Sequence, residues 1–72
     1  MAAQLRPALT ILRRKQVEAR TGLSRSTIYQ RIAEEKFPPS VSLGAGARAV
    51  GWIEAEIDEW LSAQVERSRK SA

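Results

Sequence analysis

The chain predicts a mainly α fold with one small β-hairpin, laid out as a winged helix-turn-helix, and three observations carry that expectation. Residues 21–31 read Thr-Gly-Leu-Ser-Arg-Ser-Thr-Ile-Tyr-Gln-Arg, a tight turn followed by a capped helix. After Pro38-Pro39 the apolar period shortens to about two, and from Glu54 it lengthens again to a helical stripe. Seventy-two residues leave room for one domain. A chain of this size buries only about 60% of its unfolded surface, so the core is small.

Taken in order, residues 1–9 show no sustained periodicity and are expected to form a flexible arm before a folded domain at 10–65. Thr10-Ile11-Leu12 reads either as a short β segment or as a lead-in packed on the core. A first helix is predicted over Arg14 to Thr21, with Val17 and Thr21 facing inward and the Arg20 stem lying along the core edge. Gly22 can take the positive φ that ends this helix, and Leu23 can turn inward at the corner. Ser24 is a good N-cap, because its hydroxyl can accept from a first-turn N–H that the helix leaves free. The second helix should run from Arg25 to about Glu35 and bury Ile28, Ile32 and Ala33. Phe37 closes the bottom and Pro38-Pro39 stops the helix. Val41 and Leu43, then Val50 and Trp52, alternate with small residues and predict a hairpin whose tip is Gly44-Ala45-Gly46-Ala47-Arg48. A last helix is expected from about Glu54 to Gln64 or a little beyond, with Ile57, Trp60 and Leu61 inward and Ile53 extending the stripe. Trp52 and Trp60 are both expected in the core. Residues 66–72 hold no large apolar anchor and are expected to be a disordered basic tail.

The composition excludes several kinds of chemistry. With no cysteine and no histidine there are no thiolate nucleophiles, imidazole bases, zinc fingers or disulfides. No apolar run is long enough to span a membrane, and the first residues lack the apolar centre of a signal peptide, so the expected location is the cytoplasm, at the nucleoid. Glu54, Glu56, Asp58 and Glu59 lie on one short helix with no opposing element, so they read as a solvated face and not as paired catalytic carboxylates or a magnesium site. Neither an enzyme nor a cofactor or metal is expected. The net charge is +4, and its distribution is uneven. Arg13, Arg14, Lys15, Arg20, Arg25 and Arg31 against Glu18 place +5 over residues 13–31, whereas residues 53–61 carry −4. The cations thus gather on the helix-turn-helix candidate, as they would to meet phosphates.

The residues expected to touch double-stranded DNA are Arg14, Lys15, Ser24, Arg25, Ser26, Thr27, Tyr29, Gln30, Arg31 and Arg48. Arg25, near the helix start, can donate a bidentate pair to guanine or hold a phosphate. Ser24, Ser26 and Thr27 are short donors beside the free N–H groups of the first turn, and Arg14, Lys15 and Arg31 suit phosphates. For Thr27 a local helix-start bond competes with this role. Tyr29 joins a hydroxyl to a ring that can touch a thymine methyl, or half-fills the core instead. Gln30 can read adenine or remain solvated, and Arg48 at the wing tip suits the minor groove or backbone if it is more than a free loop cation. An ordinary helical hairpin with a wet polar face has the same spacing, and the coincidence of motif and charge argues against it.

Leu23-Ser24-Arg25-Ser26-Thr27-Ile28-Tyr29, Phe37-Pro38, Val41-Ser42-Leu43-Gly44, Arg48-Ala49-Val50-Gly51-Trp52 and Glu56-Ile57-Asp58-Glu59-Trp60-Leu61 together resemble the AlpA family of phage-type regulators. That family is akin to excisionases and to the DNA-binding part of MerR-type proteins, and the resemblance covers roughly residues 11–64. It implies a sequence-specific transcriptional regulator with the second helix in the major groove and the wing on the minor groove or backbone. The alternative it allows is an excisionase-like architectural protein that bends DNA and recruits an integrase. A protein-interaction adaptor working through the acidic last helix is the third reading. The wing departs from the family's shorter Gly-to-Arg step by its Gly44-Ala45-Gly46-Ala47 stretch. A single module contacts about 600–1,000 Å² of DNA, so selective binding calls for further copies on adjacent sites or a partner such as an integrase.

Overall fold

The computed structural model describes residues 9–44 and 49–71. Their order is β1 (Ile11–Leu12), α1 (Arg14–Thr21), α2 (Arg25–Ala33), β2 (Val41–Ser42), β3 (Val50–Ile53) and α3 (Glu54–Ser71). The three strands form one antiparallel sheet in the order β1-β3-β2. Thr10-Ile11-Leu12 is therefore a β segment, with Ile11 opposite Ile53 and Leu12 opposite Trp52. The hairpin pairs Val41 with Gly51 and Ser42 with Val50, and a bond from the Leu43 N–H to the Ala49 carbonyl (3.0 Å) carries it one step further. Helices and a small antiparallel sheet in this order make a winged helix-turn-helix. Residues 45–48, including Arg48, lie outside the described residues, as do residues 1–8 of the arm expected over 1–9.

The turn between α1 and α2 forms as its residues dictate. Gly22 takes φ 73°, the left-handed conformation that suits glycine, and its N–H donates to the Glu18 carbonyl (2.8 Å). Thr21 Oγ1 donates back to the Val17 carbonyl (2.8 Å) and accepts from the Leu23 N–H (3.2 Å), which closes the corner. Ser24 caps α2 by accepting from the Thr27 N–H (3.3 Å). At the far end the Lys36 N–H reaches the Arg31 carbonyl and the Glu35 N–H reaches that of Ile32, a Schellman closure. Glu35 occupies its left-handed position at φ 59°.

The core consists of Leu12, Val17, Ile28, Phe37, Trp52 and Ile57, with Leu23, Ile32, Val50, Trp60 and Leu61 packed around it. Trp52 sits at its centre, fully buried on β3 where α1 and α3 both approach. The two indoles fasten the segment that follows α2. Trp52 Nε1 donates to the Pro38 carbonyl (3.1 Å) and Trp60 Nε1 to that of Lys36 (2.8 Å), on either side of buried Phe37. The Phe37 and Trp60 rings meet edge to face at 4.7 Å.

Several sequence expectations need correction. Trp60 is only half-buried, since α3 lies at the edge of so thin a core and the indole covers Phe37 from outside. Ala33 is exposed because α2 ends there and turns away. Gly51 is buried against the Ile11 side chain of β1, the strand that pairs with β3. The Arg20 guanidinium pairs with Glu54 and Asp58 of α3, so those two acids are not merely solvated. α3 also runs well past the expected end at Gln64 or a little beyond. α3 continues through 66–71, where a disordered tail was expected, since no Gly or Pro interrupts it and Glu, Arg and Lys are good helix formers. Arg69 and Lys70 in the last turn suit the negative end of the helix dipole.

Candidate nucleic-acid interface

α2 buries Ile28 and half-buries Ile32, so its outward line runs through Ser26, Gln30 and Ala33, all exposed. Arg25 and Tyr29 lie on one flank of that line and Arg31 on the other, about 200° around the helix from Tyr29. On the first flank the fold builds a concavity lined by Arg13, Arg14, Lys15, Arg25, Tyr29 and Val50. It exists because the N-terminus of α1, the flank of α2 and the base of the wing converge there. Arg13 holds that convergence in place. Its backbone N–H donates to Gln16 Oε1 (2.8 Å) at the start of α1, and its Nε donates to the Val50 carbonyl (3.1 Å) at the base of the wing.

Tyr29 combines both roles expected of it. Its ring meets the edge of buried Trp52 at 6.3 Å, yet the residue stays 39% exposed at the mouth of the concavity. The Arg25 guanidinium stands 6.0 Å from the Tyr29 ring centre, near enough for a weak cation–π contact. Lys15 and Arg25 make no ion pair among the described residues, whereas Arg14 is bound to Glu18 at 2.6 Å. The pairing of Arg20 with Glu54 and Asp58 turns the acidic start of α3 toward a cation of α1. The cations that remain toward the concavity therefore form one positive patch.

Of the residues singled out in the sequence, Arg14, Lys15, Arg25 and Tyr29 share this concavity. Ser26 and Gln30 line the exposed ridge of α2 beside it, with the Gln30 amide donating to Glu34 Oε2 (3.4 Å). Ser24 and Thr27 are occupied with the cap, where the Ser24 hydroxyl also donates to Thr27 Oγ1 (3.0 Å). Arg31 faces a different concavity, and Arg48 falls outside the described residues. Arg13 was missed as a site residue, although its place at the head of the Arg-Arg-Lys run is a signal that could have found it.

A capped second helix, a cationic concavity along its flank and a hairpin beyond define the winged helix-turn-helix class. Comparison with known proteins makes this specific. Residues 10–65 match the family described as Prophage CP4-57 regulatory protein (AlpA). The chain is 46% identical over 63 residues to the DNA-binding transcriptional activator AlpA of Escherichia coli (strain K12), an alignment covering 79% of this chain and 87% of that protein. It is also 46% identical over 44 residues to the uncharacterized protein ORF88 of Enterobacteria phage P4, covering 61% of this chain and 48% of that one. The chain belongs to the AlpA family of prophage regulatory proteins.

Proposed function

We propose that this protein is a sequence-specific regulator of transcription that binds double-stranded DNA through α2. The concavity of Arg13, Arg14, Lys15 and Arg25 around Tyr29 is the observation that carries this reading, with the relative named as a DNA-binding transcriptional activator in its support. With α2 in the major groove, Ser26 and Gln30 face base edges and Arg25 stands at the helix start, where bidentate contact with guanine is geometrically natural. Arg13, Arg14 and Lys15 then meet the phosphates along one side of the groove. In this reading Arg48 of the wing is the residue that contacts the neighbouring backbone or minor groove. The acidic start of α3, tied to Arg20, stays off the DNA.

A gel-shift titration over a range of salt, on the promoter region nearest the protein's own gene, tests the proposal. Saturable binding that outcompetes unrelated duplex and weakens steeply with salt is expected. Equal affinity for every duplex at every salt would refute sequence-specific regulation.

A further inference from the structure

A second concavity lies on the other flank of α2, between its C-terminal end and α3. Arg31, Lys36 and Arg67 stand around it, with Glu35, Trp60 and Gln64 completing its wall. Trp60, Gln64 and Arg67 follow one another at helical spacing, so one stripe of α3 faces the end of α2. Lys36 and Arg67 are exposed, and the Trp60 indole N–H is already given to the Lys36 carbonyl. The wall, which Phe37 also lines, thus carries three cations and one carboxylate.

We infer that this concavity receives the phosphate backbone of the DNA strand opposite the one met by Arg13, Arg14 and Lys15, making the C-terminal half of α3 a third DNA-contacting element. The inference rests on the proposed placement of α2 in the major groove. That groove is about 12 Å wide and an α-helix with its side chains is about 10–12 Å across, so an inserted helix has a sugar–phosphate wall on each flank. Arg25 and Tyr29 serve one wall; Arg31, about 200° around the helix from Tyr29, faces the other. Lys36 and Arg67 extend that second contact because they share a concavity with Arg31. The helical course of residues 66–70 places Arg67, Arg69 and Lys70 on a rigid element, at less entropic cost than a tail would incur on binding. Glu35 is the one lining group that opposes a phosphate.

The test compares the double variant Lys36→Ala/Arg67→Ala with wild type, by fluorescence anisotropy on a duplex that the wild type has enriched from a random pool. The double variant should bind more weakly on specific and unrelated duplex alike, by up to about eightfold per lost phosphate at about 0.1 M salt. Its log K against log[salt] slope should be shallower by about two units. Glu35→Gln should tighten binding. Uncharged methylphosphonates placed in one strand at a time identify the wall: the loss should overlap with those in one strand and add to those in the strand contacted by Arg13, Arg14 and Lys15. Wild-type affinity and slope in the double variant would overturn the inference while leaving the proposed function standing. A wild type that binds no duplex would overturn both. Normal duplex binding by the double variant, together with lost binding of a short glutamate-rich peptide, would assign the concavity to a protein partner and refute the inference.

Discussion

Gly51→Ala is expected to loosen the base of the wing without touching any DNA-facing side chain. Gly51 is buried on β3, alongside β1, which pairs with β3 antiparallel. A Cβ added there would overlap Cγ2 of Ile11 and stand 3.2 Å from the Leu12 carbonyl oxygen and 3.3 Å from Leu43 Cδ1. Cγ2 of a β-branched residue moves only with χ1, and χ1 of isoleucine is stiff, so the strand must give way. Overpacking of this kind costs about 1–3 kcal/mol. For a domain of this length that lowers Tm by roughly 5–20 °C, readable by circular dichroism. Ile11→Ala removes the overlapping methyl and provides an internal control. In that background the cost of Gly51→Ala should fall by about half or more, a coupling of roughly 0.5–2 kcal/mol. A Gly51→Ala variant that melts with wild type would refute the close approach of β1 to β3. An equal cost in both backgrounds would refute Ile11 as its cause.

Three further outcomes follow from the same geometry. Arg25→Ala should weaken specific DNA binding by about 1–3 kcal/mol and relax discrimination at one base pair, with an unchanged circular dichroism spectrum; a uniform loss across sequences would make Arg25 a phosphate contact. Trp60→Ala should destabilise the fold by about 2–4 kcal/mol, below the value for a fully buried aromatic, and Trp60→Phe by about 1 kcal/mol for the lost bond to Lys36, as measured by chemical denaturation. Glu35→Gly should raise stability by about 0.5–1 kcal/mol, because glycine accepts φ 59° without strain; a lower Tm would contradict the Schellman closure.

The parts of this fold legible in the sequence are those that short-range chemistry decides. Gly22 and Ser24 mark the end of α1 and the start of α2 because a left-handed cap and a hydroxyl cap are local devices. Pairing between β1 and β3 was not legible, since two residues carry little pattern and their partners lie about forty positions away. Without that pairing, nothing marked Gly51 as a point of close approach. Arg20 likewise gave no sign that its acids would come from α3, thirty-four and thirty-eight positions on. The last turns of α3 were misread because burial was taken as the condition for order, whereas helix propensity and charge placement suffice there. Within the site, Arg14, Lys15, Arg25 and Tyr29 were all found as candidates, because basic charge near a helix start is visible in one dimension. Lys36 was not, because its place is set by the approach of α3 to the end of α2.

If α2 and the cationic concavity beside it form the DNA-binding surface, amide chemical shifts recorded during titration with a specific duplex will map it. The largest perturbations should fall on residues 13–15 and 24–31, with those over 54–59 small, and the pattern should saturate as one complex. Perturbations centred on the acidic start of α3, with residues 24–31 unmoved at saturation, would contradict it.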